Sequence, residues 1–212
     1  MDQPTQHLEA IKDIRKMMQR SSRFISLSGL SGVAAGVLAL AGAWIAYDWL
    51  SDYYIDNNGS YSEFGFQKLQ LRLFMLAGVV LAAALLSAFY FTWRRAGEHK
   101  LPLWDHTSKM MIINILIPLI SGGIFIITML QYKEWRFVVP ACLVFYGLSL
   151  VNGSKYTLSE IRYLGLMEVV VGLVATQFPG LGLYFWAFGF GVLHIIYGFA
   201  MWWKNERQPG SK

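Results

Sequence analysis

Two ionisable residues stand inside apolar runs of this sequence. Glu168 sits between Leu164-Gly165-Leu166-Met167 and Val169-Val170-Val171, and His194 between Gly191-Val192-Leu193 and Ile195-Ile196. The turn Pro179-Gly180 separates the two runs, with Glu168 eleven residues before Pro179 and His194 fourteen residues after Gly180. In helices rising about 1.5 Å per residue, they lie about 17 and 21 Å from the turn, close enough in depth to face each other across a hairpin. A carboxyl and an imidazole so placed share a proton and titrate as a unit. One reading is an interhelical hydrogen bond that sets the hairpin's register. The other is a proton-coupled or ligand-binding site, the default for an acid buried in a bilayer.

Further polar residues fall in the same half of the apolar runs. Ser28 and Ser31 lie in the first turns of the first run, Asn114 near the start of the third, and Tyr90, Tyr146 and Tyr197 a few residues before the ends of the second, fourth and sixth. Such a distribution suits a cavity open to the cytoplasm. The expected ligand-binding set is Glu168, His194, Asn114, Tyr146, Tyr197, Ser28 and Ser31. The competing account is local: a serine bonds its own helix backbone, and a tyrosine marks the interface. Glu98, His99, Asp105 and His106 group within nine residues, but their spacing matches no strong metal motif. Pro118 and Pro140 are expected to kink their helices. No phosphate-binding loop, zincin pattern or nucleophile elbow occurs, so no catalytic residue, metal or cofactor is assigned. A single cysteine excludes an internal disulfide.

The elements that would hold these residues follow from composition. The 212 residues are 55% hydrophobic and 15% charged, with mean hydropathy +0.41. That is more apolar and less charged than a globular average of about 45–50% and about 25%. A membrane-spanning helix needs about 20 apolar residues, and six runs qualify: Phe24–Tyr47, Leu71–Trp93, Met110–Leu130, Phe137–Val151, Tyr163–Phe178 and Leu181–Trp203. The fourth and fifth are short and need their polar flanks. The expected fold is all-α, a polytopic membrane protein with six transmembrane helices. Its parts are a cytoplasmic amphipathic arm at 1–23, a membrane domain at 24–203 and a cytoplasmic tail at 204–212. A loop is expected from Leu50 to Gln70.

The net charge of +5 would suggest nucleic acid in a soluble protein, but here the basic residues flank apolar runs. Fourteen of the 18 Lys and Arg fall on one side, leaving Lys68, Arg72, Lys133 and Arg136 on the other. The basic side is expected to be cytoplasmic, with both termini on it. In the arm, Leu8, Ile11, Ile14 and Met18 recur at helical spacing among Lys12, Lys16 and Arg20, as in a helix lying on anionic lipid or docking a protein partner. The apolar run continues past Ala41-Gly42-Ala43, so it reads as a span rather than a cleaved leader.

Phe89-Tyr90, Phe145-Tyr146 and Ile196-Tyr197 sit at matching places in the even-numbered spans, which allows three helical hairpins. Ser28, Gly32 and Gly36 recur at four-residue spacing, as residues do where helices approach closely. The stretch Ser21-Ser22-Arg23-Phe24-Ile25-Ser26-Leu27-Ser28-Gly29-Leu30-Ser31-Gly32 resembles the opening of a group of uncharacterised bacterial integral membrane proteins. The likeness covers the arm and first span; it implies a bacterial inner membrane and no particular activity.

The leading expectation is a non-enzymatic protein that binds or moves a small ligand or ion through a cytoplasm-facing polar cavity. One alternative is an intramembrane enzyme acting on a lipid or apolar substrate, with Glu168 and His194 as acid and base. Another is a sensor or subunit working through a partner. A cavity reaching cytoplasmic water favours the first, one reaching lipid the second, and a tight bundle without a cavity the third. Expected partners are membrane lipids, a small-molecule ligand, and a cytoplasmic protein or a second copy of the chain; no nucleic acid.

Overall fold

A computed structural model describes residues 28–56, 63–98 and 104–205. The expected arm at 1–23, Ser26, His99 and the tail beyond 205 lie outside the described residues. Within them the fold is all-helical: α1 (Gly29–Asp56), α2 (Glu63–Glu98), α3 (His106–Gln131), α4 (Val138–Gly153) and α5 (Ser159–Ala175). The last span is a composite of α6 (Gly182–Trp186), a π-helical segment (Ala187–Leu193) and α7 (His194–Asn205). Short 3-10 turns, Trp135–Phe137 and Ser154–Tyr156, flank α4.

Five of these helical stretches are long and apolar enough to cross a membrane: Gly29–Ile55, Gly65–Glu98, His106–Gln131, Trp135–Tyr156 and Gly182–Lys204. The expected fifth span, α5, is not among them. It has only 17 residues and carries Glu160, Arg162 and Glu168. The loop expected from Leu50 to Gln70 is helical through Asp56 and again from Glu63. The apolar periodicity ends at the loop, but the helical hydrogen bonds run on beyond it.

The bundle turns its apolar residues outward. Val79, Leu81, Leu85, Leu86 and Phe89 on α2 are all exposed, as are Ile117, Ile120 and Ile124 on α3. Inside lie a cluster of Leu143, Leu150, Leu164, Val171 and Leu193, small residues, and polar ones, among them Ser28, Ser31, Ser149, Glu168 and His194. Such a distribution suits a hydrocarbon solvent, where burying leucine brings little gain and close backbone contact holds helices together.

Two glycine seams do that holding. On α4 and α5 they are reciprocal: a Cβ at Gly147 would lie 2.6 Å from the Gly165 carbonyl oxygen, and one at Gly165 would lie 2.7 Å from that of Gly147. On α1 and the last span, a Cβ at Gly36 would lie 2.6 Å from the Gly191 carbonyl oxygen, and one at Gly198 would lie 2.6 Å from the Val33 nitrogen. These seams decide the neighbours. α1 packs along α2, and α3 along α4, as hairpins would. The third hairpin does not form in that sense, because α5 lies chiefly on α4 and the last span chiefly on α1.

The two prolines sit differently in their helices. Pro140 is the third residue of α4, where its missing N–H has no intrahelical acceptor to lose. Pro118 lies inside α3, which continues through it. At the start of α3 the Ser108 amide donates to Asp105 Oδ1 at 2.7 Å and the Asp105 amide donates to Ser108 Oγ at 2.9 Å, a capping box. Asp105 is therefore a helix cap, and no metal-binding cluster of His, Cys, Asp and Glu exists among the described residues.

Gly165→Val should destabilise the protein by about 1–3 kcal/mol or more, since the added methyls enter a backbone contact. Gly78→Ala, where a Cβ meets nothing within 4 Å, should leave stability unchanged or raised. Unfolding in mixed micelles compares the two; equal losses would show that the seam carries no special constraint.

Candidate functional site

The site is assembled by three helices. α5 presents Glu168 from its middle, α4 presents Tyr146, and α7 begins with His194, directly after the π-helical segment. Glu168 is 0% exposed and His194 6%. Their nearest atoms, Glu168 Oε1 and His194 Nδ1, are 3.4 Å apart. No hydrogen bond reaches either carboxyl oxygen among the described residues.

The π-helical segment explains how these groups meet. Its wide turn holds Gly189 against the carboxyl: a Cβ there would lie 2.6 Å from Glu168 Oε2 and 2.5 Å from Leu143 Cδ2. The same turn brings the Gly189 carbonyl oxygen 3.1 Å from His194 Nδ1. A carbonyl only accepts, so Nδ1 carries the hydrogen, which sets the ring's tautomer. The other nitrogen, Nε2, lies 2.8 Å from Tyr146 Oη. The Tyr146 and His194 rings stack at 5.4 Å and 28°, with Phe190 5.2 Å from Tyr146. The result is a chain of carboxyl, imidazole and phenol spanning three helices. Such π turns are frequent at functional sites.

Tyr146 and His194 form the inner end of a cavity of about 200 Å³. Its walls are mainly apolar, drawn from Ala35, Ile115, Leu150, Leu164 and Met201. Thr157 and Glu160 line its other end. That is the end of the bundle holding Arg94, Arg95 and Lys204, the side with the basic excess. Lys204 Nζ donates to Glu160 Oε1 at 2.6 Å there.

Four of the seven expected site residues border this cavity: His194, Tyr146, Tyr197 and Ser31. Glu168 stands behind His194, one layer removed. Ser31 donates its hydroxyl hydrogen to the Ser28 carbonyl at 2.5 Å, so it serves the start of α1. Ser28 itself belongs to a separate concavity with Arg94, Arg95 and Glu98. Tyr90 is exposed on the outer face of α2. The lining is less polar than the sequence distribution suggested, because the serines bond their own backbones. Ser121 and Ser149 donate to the carbonyls four residues back, at 2.8 and 2.9 Å.

Asn114 has a different task. Pro118 has no N–H to offer the carbonyl four residues back, which is that of Asn114. Asn152 Nδ2 on α4 donates to this carbonyl at 2.8 Å instead. The Asn114 side chain donates to Met110 O, also at 2.8 Å. The proline thus creates a vacancy that ties α3 to α4. Counting four back from Pro118 would have pointed to it. The π-helical segment was also missed in the sequence, although Phe188-Gly189-Phe190-Gly191 is a visible irregularity in an otherwise regular helical run.

Compared with protein-family models, with curated proteins and with solved structures, the chain matches none of them.

Asn152→Ala should cost about 1–3 kcal/mol by orphaning the Asn114 carbonyl. Adding Pro118→Ala, which restores an intrahelical donor, should recover most of that loss. A double-mutant cycle on unfolding free energies measures it, and strictly additive effects would remove the proposed link.

Partial burial opposes ionisation of Glu160, but the Lys204 hydrogen bond and charge, with its own backbone, outweigh that and hold its carboxyl below its ordinary value. A lowered folded-state value contributes stability that is present above the unfolded value and lost as pH falls through the folded one. Glu160→Gln should therefore be slightly less stable than wild type at neutral pH, by under about 1 kcal/mol for so exposed a cation. The gap should close in acid; melting curves across the acidic range, with a gap that stays constant, would count against it.

Proposed function

We propose that this chain is a membrane-embedded binding protein that receives a small, largely apolar ligand in the cavity ending at Tyr146 and His194. The observation that carries the reading is this partly open space, bordered by helices from across the bundle and backed by a buried carboxyl. An acid with no hydrogen bond inside a bundle is costly, and such groups in membrane proteins are functional by default. A volume of about 200 Å³ lies below the 300–1,000 Å³ usual for drug-sized ligands, so the ligand is a small one. The presence of a cavity favours this reading over a sensor or subunit acting only through a partner.

In this reading α5 also crosses the membrane, making six crossings. Its outer face is a stripe of exposed Tyr163, Leu166, Met167, Val170, Leu173 and Val174, while Leu164, Gly165, Glu168, Val171 and Gly172 face inward. Apolar outside and acid inside is the pattern of a membrane helix. Six crossings put both termini on the basic side, which the charge rule assigns to the cytoplasm. The cavity then opens toward the cytoplasm through Thr157 and Glu160. Beyond His194 the interior is filled by Leu143, 0% exposed, and by the Gly189–Glu168 contact. Entry and exit at the same end support binding rather than passage.

The carboxyl, imidazole and phenol in series also support a second reading, an enzyme acting on an apolar substrate. Tyr146 would exchange a proton with the substrate and His194 with Tyr146.

Ala35→Phe should fill the cavity. The apo variant should melt near wild type, since the ring enters existing space. In a thermal-shift screen of small fragments on the full chain in lipid nanodiscs, compounds that raise the wild-type Tm by several degrees should not move the variant. Hits that stabilise both equally would place binding elsewhere and overturn the reading.

A further inference from the structure

Resting on the reading of this cavity as a binding site, we propose that its occupant is part of an acyl chain of a membrane lipid, taken in sideways from the cytoplasmic leaflet through a gap between α2 and α3. The argument begins with the order of the helices. α2 packs on α1, α1 on the last span, that span on α5, α5 on α4 and α4 on α3. The two ends of this order, α2 and α3, do not pack along each other among the described residues. The helices thus form a ring with one open flank. At its outer end the flank is pinned: Trp135, between α3 and α4, meets Phe66 and Phe74 of α2 with ring centroids 6.3 and 5.9 Å apart. Ala88 lies fourteen residues beyond Phe74, about 21 Å farther along α2 toward the basic side, where no such contact spans the flank.

The gap leads to the cavity. Ala88 from α2 and Met111 and Ile115 from α3 are its walls on this flank. Ala88 is half-buried and brings a single methyl, so it closes little of the space. Outside the gap, Leu81, Leu85 and Phe89 on α2 and Ile113, Ile117 and Ile120 on α3 are exposed. No residue in the most apolar stretch of α2 is buried. What meets the gap in a bilayer is therefore hydrocarbon, and the walls inside, such as Leu150, Leu164 and Met201, are apolar as well. A chain that slides from one to the other crosses no polar barrier.

Size and hydrogen bonding fit the same occupant. Tyr146 at the inner end and Gly153 toward the other are seven residues apart on α4, which makes the cavity about 10 Å deep. The hydrocarbon of one leaflet is about 15 Å, half of a core of about 30 Å. A space of about 200 Å³ thus holds part of one chain, and neither a second chain nor a headgroup. The gap lets the rest of that chain stay in the bilayer. The flank lies in the half of the bundle where the cavity already opens at Thr157 and Glu160, so the chain remains in its own leaflet. An apolar occupant strands no hydrogen bond: Tyr146 Oη and His194 Nε2 satisfy each other at 2.8 Å, and Ser31 donates to the Ser28 carbonyl.

The test uses the full chain in nanodiscs containing a phosphatidylcholine with a diazirine midway along one acyl chain. After brief illumination, mass spectrometry locates the adducts. In wild type they should form on Leu150 and Leu164, both buried, as well as on exposed residues such as Leu85. Ala88→Trp, which sets an indole in the gap, should cut the buried adducts several-fold and leave labelling of Leu85 unchanged. Ala88→Leu, a smaller addition that serves if the indole is not tolerated, should cut them by less. Wild-type adducts confined to exposed residues would overturn the inference, and so would buried adducts that persist undiminished in the variants. A short water-soluble alkyl diazirine, added to nanodiscs of unlabelled lipid, separates this inference from the reading beneath it. If it labels Leu150 and Leu164 and the lipid probe does not, the cavity is a binding site supplied from water, and the lateral route is lost. If neither probe reaches them, the binding-site reading fails too.

Discussion

Backbone meets backbone at Gly147–Gly165 and at Gly36–Gly191, and the rest of the bundle depends on those two approaches. In a lipid-like solvent a leucine on the surface is as comfortable as one inside, so apolar area does little to choose among helix arrangements. Contact distance does, and only glycine permits a contact so short. Once α4 is locked to α5 and α1 to the last span, the space between the two pairs is set. Larger residues border that space, and they do not close it. The cavity is the remainder left by two tight seams, with Tyr146 and His194 at its inner end.

The same seams explain which parts of the fold were legible in the sequence. The runs of apolar residues located the helices well, because length and hydropathy are properties of one segment at a time. They missed the ends of α1 and α2, where helical hydrogen bonding continues through Asp52, Asp56 and Glu63 after the apolar pattern stops. They also suggested a symmetric set of hairpins, because sequence adjacency was the available guide to spatial adjacency. The guide held for α1 with α2 and for α3 with α4. It did not hold for α5 with the last span, whose glycines find better-fitting partners elsewhere.

For the site, depth counting brought Glu168 and His194 together because both lie in helices sharing one turn, a geometry with little freedom. Tyr146 joined them through a long-range contact that depth alone suggested. Asn114 and Ser28 illustrate the opposite case. A short polar side chain in a helix has its own backbone within reach, so its place in the sequence says little about what it bonds. Asn114 is further bound up with Pro118 on its own helix and Asn152 on another, a three-residue arrangement that a list of single polar residues does not reveal.

The π-helical segment Ala187–Leu193 holds more residues in its turns than an α-helix of the same height would. It is in effect an insertion absorbed without a loop. Rewinding the same residues as regular α-helix would no longer absorb the extra one, and everything after it would rotate by about 100° about the axis. His194 would leave Glu168 and Tyr146, and Gly198 would leave the backbone of α1, in a single step. The wide winding of this short segment therefore acts as a phase setting for the last span, and it keeps the register of the site and the register of the seam from varying independently.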